Sequence, residues 1–214
     1  MIKDLGVQLG GIHFHCGSGQ NGAKNFDEAI ELARECIKIG RQVGHSMEII
    51  DIGGGLPAGE LDSELLETLR STKNDPLGYQ IISEPGRYLS SRSCLLATRV
   101  IGKREKQNRK CYHINDSLYH SFNCVLMDGV SFEDQSDQFY SRFNHNYQSE
   151  LGQLKNGSMF GMTCDGYDVI VKNLMMPELN VGDWLIMGGM GAYTYGPRSN
   201  FNGMTTLDSI YTHL

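Results

Sequence analysis

The spacing of apolar and polar residues changes character near Ser90, and each side of that point predicts a different kind of sheet. Val7 to Phe14 reads as a buried strand, broken by Gly17-Ser18-Gly19. Asn25 has the form of a helix N-cap with Glu28 three residues on, and Ala29, Ile30, Ala33 and Ile37 then share one helical face until Gly44 ends the run. Met47 to Ile52 predicts a second strand, Leu61, Leu65 and Leu69 a second helix, and Tyr79 to Ile82 a third strand. Strand and helix in alternation predict parallel pairing. Beyond Ser90 the runs Cys94 to Ile101, Lys110 to Ile114, Asp168 to Lys172 and Asp183 to Met187 look like strands without a helical period, and they predict an antiparallel domain. Ser131 to Asn156, polar with aromatics and no proline, reads as a mobile excursion or a short helix. The expected fold class is therefore α/β plus all-β, divided at 1–90 and 91–214.

Composition narrows the function classes. With 214 residues, 40% of them hydrophobic, the chain can bury a core. Its 25 acidic and 19 basic residues give a net charge of -6, which argues against a nucleic-acid surface. The six cysteines form no C-x-x-C pair, so reduced thiols are expected. No apolar run approaches the roughly 18 residues of a membrane span, Met1-Ile2-Lys3-Asp4 reads as neither signal nor transit peptide, and the expected compartment is the cytoplasm.

Candidate chemistry centres on Gly161-Met162-Thr163-Cys164-Asp165-Gly166. A thiol can relay a proton to a carbanion, and a carboxylate in a glycine-flanked turn can reach a cationic substrate. The bland alternative is a small buried Cys beside a turn-forming Asp. Gly53-Gly54-Gly55, after a strand, offers bare amides to a phosphate, or is simply a tight strand-to-helix turn. Glu84-Pro85-Gly86 reads alone as a surface loop, and a strand histidine such as His13 or His15 as a satisfied core residue.

These segments, taken in order with His13-Phe14-His15-Cys16-Gly17-Ser18-Gly19, Glu84-Pro85-Gly86-Arg87-Tyr88, Asn115-Asp116, Ser121-Phe122-Asn123-Cys124, Val181-Gly182-Asp183-Trp184, Gly191-Ala192-Tyr193-Thr194 and Phe201-Asn202-Gly203, resemble the eukaryotic ornithine decarboxylases. Those are pyridoxal 5'-phosphate enzymes with an alanine-racemase-like fold. The resemblance implies the last three strand-helix units of a pyridoxal-binding TIM-type barrel, followed by an antiparallel β-barrel or sandwich. A closed barrel needs eight units and about 250 residues, so the N-terminal half of the barrel is expected to lie outside this sequence. The family's Schiff-base lysine is expected there too, since no lysine here has its Ala-x-Lys-x-Asn setting.

By the same resemblance, Gly53, Gly54, Gly55, Ser18, Arg87 and Tyr193 grip the cofactor phosphate, Glu84 pairs with the pyridine nitrogen, and His15 stacks on the ring. Cys164 is catalytic, and Asp128 and Asp165 hold the distal ammonium of the amino acid substrate. In the family Cys164 and Asp165 enter the partner's site, which implies a homodimer with shared active sites. No metal is expected. Met127 and Gly129 depart from the Tyr and His that the family often carries. The implied activity is decarboxylation of L-ornithine to putrescine, in polyamine biosynthesis, with lysine or arginine as other substrates. The alternatives are a non-catalytic relative like the antizyme inhibitors, meeting an antizyme-like regulator, and a truncated product with no stable fold.

Overall fold

Three short strands and the helices between them account for the first ninety residues: β1 (Gly11–His13), α1 (Lys24–Gln42), β2 (Ile49–Asp51), α2 (Ser63–Lys73), β3 (Gln80–Ile82) and the short α3 (Gly86–Ser90). The computed structural model describes residues 2–20, 22–106, 109–132, 154–205 and 210–211. They fall into two compact units, Met1–Ser90 and Ser91–Leu214. In the first unit the strands pair in parallel in the order β1-β2-β3, with Ile12, Ile50 and Ile81 in register.

The helical face of α1 buries Phe26, Ile30, Ala33 and Ile37 against Ile50, Ile52 and Leu65. Each large side chain of this set is worth about 1.5–3 kcal/mol of burial. Asn25 is not the cap. The helix starts two residues earlier, Ala23 occupies the N-cap without a side-chain bond, and Asn25 Nδ2 donates to Gln20 Oε1 at 2.6 Å. Seating Ala23 and Phe26 in the core, at 1% and 0% exposure, overrides the local capping pattern. By contrast α2 is capped from its own side chain, with Asp62 Oδ1 accepting from Leu65 N at 2.7 Å. The first strand is shorter than its sequence run because Gly10 O accepts from both Glu48 N and Ile49 N, which breaks the ladder before Gly11.

In the second unit β4 (Leu96–Lys106), β5 (Arg109–Ile114), β6 (Lys155–Phe160), β7 (Val169–Met176) and β8 (Trp184–Met187) make one sheet in the order β7-β6-β5-β4-β8, and a short α-helix α4 spans Asn123–Asp128. The expected all-antiparallel domain is corrected here. Strands β5 and β6 run parallel, Cys111 opposite Ser158, so the sheet is mixed, and among the described residues it is one curled sheet. A parallel pair needs a long crossover, and the chain between Ile114 and Lys155 supplies the length. The register shift between Val100 and Gly102 lets β4 pair with β8 through Leu96 to Arg99 and with β5 further on.

Strand β6 carries little signal in sequence. Gly157, Ser158 and Met159 are buried in succession, and a Cβ on Gly157 would lie 2.6 Å from Met176 Sδ, so a missing side chain rather than an apolar one lets the strands approach. Tyr112, Ile114, Phe122, Met159, Leu174 and Leu185 fill the core of this unit. The polar stretch read at Ser131 to Asn156 lies, from 133 to 153, outside the described residues. No helix among the described residues is long and apolar enough to cross a membrane.

Candidate active-site elements

The parallel register aims chemistry at one end of the first sheet. His13 pairs with Asp51, Asp51 with Ile82, and Glu84 follows Ile82 by two residues on the same side of the strand. Consequently His13 Nε2 lies 3.5 Å from Glu84 Oε2, and donor atoms of His13, Asp51 and Glu84 all lie within 4.8 Å of one another. Just beyond, Gly53-Gly54-Gly55 is wedged between the turns that follow β1 and β3. A Cβ would meet Phe14 O at 2.2 Å from Gly53, Glu84 O at 2.7 Å from Gly54 and Gly17 O at 2.1 Å from Gly55. Gly53 N donates to Asp51 Oδ1 at 2.9 Å and Gly53 O accepts from Glu84 N at 2.7 Å, while Gly55 O accepts from Gln20 N at 2.8 Å.

The amides of Gly54 and Gly55 donate to no protein acceptor among the described residues. His15 sits over this wedge, its Nδ1 accepting from Gly17 N at 2.9 Å and its Nε2 3.8 Å from where a Gly54 Cβ would stand. Ser18 lies in the exposed turn after β1, and Arg87 is half-buried on α3. The first unit thus brings together His15, Gly53, Gly54, Gly55 and Glu84. Tyr193 belongs to the second unit, at a left-handed φ of 56° between the buried Ala192 and Thr194.

A second cluster forms around the Cys164-Asp165 turn. Asp165 Oδ2 accepts a short hydrogen bond from the Tyr119 hydroxyl, and Asp165 Oδ1 accepts from Tyr167 N at 3.0 Å. The Asn202 carboxamide donates through Nδ2 to Cys164 Sγ at 3.1 Å, and the Phe201 ring packs on Tyr119 with centroids 4.2 Å apart. Beneath the turn lies Asp168, 2% exposed, whose Oδ1 accepts from Leu118 N at 2.9 Å and whose Oδ2 accepts from Thr163 N at 3.1 Å and Thr163 Oγ1 at 2.6 Å. Asp128, the other carboxylate singled out in the sequence, ends α4 before the left-handed Gly129.

Tyr119, Asn202 and Asp168 carry no assigned role in the sequence reading. Tyr119 and Asn202 reach the turn over 46 and 38 positions of chain and Asp168 reaches Leu118 over 50, and no local pattern encodes those contacts.

The Tyr119–Asp165 bond moves both groups. The hydrogen bond to Asp165, then desolvation and the carboxylate charges, push Tyr119 up from 10.0 to about 12. The phenol's hydrogen bond holds Asp165 below its ordinary 3.8, aided by the Tyr167 amide. Stability from the raised phenol is present below pH 10 and is lost as pH rises through about 12. Stability from the depressed carboxylate is present above pH 3.8 and is lost as pH falls through its lowered value. Asp165→Asn is expected to bring the Tyr119 titration back toward 10, read from the ring-carbon shifts of labelled tyrosine.

Comparison with known proteins gives this geometry its context. The family model for the C-terminal sheet domain of pyridoxal-dependent decarboxylases matches residues 35–191. Antizyme inhibitor 2 of Xenopus laevis is 36% identical over 95% of the chain, and ornithine decarboxylase of Rattus norvegicus 34% identical over 94%. The chain spans about half the length of these relatives, 47% of each. Among solved structures, the arginine decarboxylase of Paramecium bursaria Chlorella virus bound to agmatine superimposes with a TM-score of 0.83 at 32% identity, over 96% of this chain and 55% of that one. The matched sheet domain and relatives of this similarity establish that the chain belongs to the pyridoxal-dependent decarboxylases.

Proposed function

We propose that this chain forms part of a decarboxylase acting on L-ornithine to give putrescine, with pyridoxal 5'-phosphate as cofactor. The observation that carries the reading is the Cys164-Asp165 turn, where a thiol and a carboxylate are held side by side by Asn202 and Tyr119. The cofactor, when bound, takes up the electron pair left as carbon dioxide departs. A phosphate fits the Gly53–Gly55 wedge, because amides stand there where any Cβ would strike backbone. Ser18, Arg87 and Tyr193 are proposed to add a hydroxyl, a guanidinium and a phenol to the same anion.

Glu84 would pair with the pyridine nitrogen and favour its protonated form, and His15, which stands over the glycines, would pack against the bound ring. Asp165 and Asp128 receive the distal ammonium of the substrate, since a buried unpaired ammonium would cost several kcal/mol. Cys164 delivers a proton to the substrate α-carbon. The first unit is proposed to be the end of a TIM-type barrel. Its edge strands β1 and β3 each pair on one side only among the described residues, and further parallel strands with the Schiff-base lysine would continue there. Cys164 and Asp165 are proposed to complete the site of a second copy in a homodimer.

Ornithine is proposed from the similarity to ornithine decarboxylases, and turnover of ornithine, lysine and arginine side by side tests it. Glu84→Gln in the protein that carries this chain is expected to lower kcat by about 10²–10³ with a smaller change in pyridoxal phosphate affinity, as befits removal of a charge partner at the ring nitrogen. A wild-type protein that fails to bind pyridoxal phosphate would refute the reading. A second reading, a regulatory relative that meets an antizyme-like partner without catalysis, is favoured by the 36% identity to antizyme inhibitor 2. It predicts partner capture by a protein with no measurable cofactor affinity.

A further inference from the structure

We infer that Asn202 is a positioning residue for the Cys164 thiol, an inference that rests on the reading of Cys164 as the proton donor. Asn202 is the middle residue of the one-turn segment Phe201–Gly203 and sits at φ 57°, ψ 20°. That left-handed conformation strains most side chains, and Asn is among the few that tolerate it. The conformation places Nδ2 at 3.1 Å from Cys164 Sγ.

The turn is held from both sides. Phe201 lies against the Tyr119 ring at 4.2 Å, and Ser199 N donates to Tyr119 O at 2.8 Å. Tyr119 in turn donates to Asp165, the neighbour of the thiol. Thr163, on the other side of Cys164, is bonded through N and Oγ1 to the buried Asp168. Tyr119 therefore ties the Asn202 turn to Asp165 while Asp168 holds Thr163, and the carboxamide and the sulfur meet between these anchors.

An exposed cysteine side chain with no partner samples several rotamers. Here an N–H donor selects one and faces the sulfur lone pair. In the proton transfer the S–H bond breaks, a C–H bond forms at the substrate α-carbon with the electron pair held there, and the sulfur keeps its bonding pair as thiolate. The Asn202 N–H is already directed at that developing charge, so it steadies the product of the step as well as the geometry of its start.

Two variants separate the carboxamide from the backbone. Asn202→Gly keeps the left-handed turn and removes the side chain, whereas Asn202→Asp keeps the shape and turns a carboxylate toward the sulfur. The readout is the rate of iodoacetamide alkylation of Cys164, resolved by peptide mass spectrometry, with the exposed Cys36 and Cys94 as internal references. At neutral pH Asn202→Gly is expected to react several-fold more slowly than wild type and Asn202→Asp about tenfold or more, with Cys36 and Cys94 unchanged. The difference disappears in strongly alkaline solution, where every thiol is ionised. A purely structural role predicts the opposite, faster alkylation of a loosened turn. Wild-type or faster alkylation in Asn202→Gly overturns the inference, and so does an unchanged kcat for that variant in an active protein. Alkylation needs no turnover, so a wild type without decarboxylase activity refutes the proposed function instead, whatever the alkylation rates.

Discussion

Asp168→Ala is expected to destabilise the second unit by on the order of 4 kcal/mol, because three donors lose their acceptor at once and two of them, Leu118 N and Thr163 N, are backbone amides. For a domain of this size that corresponds to a fall of roughly 15 °C in Tm, measured by calorimetry or circular dichroism. Asp168→Asn is expected to be nearly as damaging, since its NH2 must face either the Leu118 or the Thr163 donors. The position is also closed to repacking: a Cβ on Gly161 would stand 2.1 Å from Asp168 Oδ2. The loss reaches the Cys164-Asp165 turn as well. Asp168 N bonds Asp165 O, and Asp168 O accepts from Gly161 N, so the turn bearing Cys164 is strung across this one residue. A variant with wild-type Tm would show that the buried carboxylate is not the anchor of the turn.

Gly55→Ala carries the second large effect. Gly55 has φ +91° and a Cβ there would approach Gly17 O at 2.1 Å, so the substitution combines backbone strain with a clash against main chain that no rotamer relieves. The turn after β1 must move, and His15 moves with it through its bond to Gly17 N. Binding of pyridoxal phosphate is expected to weaken by about 100-fold or more, equivalent to roughly 3 kcal/mol, as read by fluorescence titration of the protein that carries this chain. Gly78→Ala is the control. Gly78 has φ +69° with nothing within 4 Å of its Cβ, so it carries the strain without the clash, and it is expected to leave cofactor affinity unchanged. Equal affinity of Gly55→Ala and wild type would show that no phosphate enters the wedge.

The two candidate clusters differ in how far local sequence reveals them. In the first unit the candidate residues sit on strand ends, where a glycine run after an apolar strand and an acidic residue before Pro85 mark the tips of β2 and β3 directly. What remained hidden was His13, a residue with a bland reading until parallel pairing set it opposite Asp51 and beside Glu84. In the second unit Cys164 and Asp165 are visible as a glycine-bounded pair, but the residues that hold them are not. Tyr119 and Asn202 reach the turn from distant segments, and Asp168 reads in sequence as the start of a strand rather than as the buried acceptor of three hydrogen bonds.

The amino-acid sequence alone determined the strand-helix alternation before Ser90, the amphipathic face of α1 and the ordered motifs that mark the family, since periodicity and turn chemistry are local properties. Tertiary structure decided the start of α1, the parallel β5–β6 pair, the existence of β6 and the clamp of Tyr119, Asn202 and Asp168 around Cys164-Asp165. Those features arise from burial and hydrogen bonding between segments far apart in the chain, and such energies become available only when the segments meet.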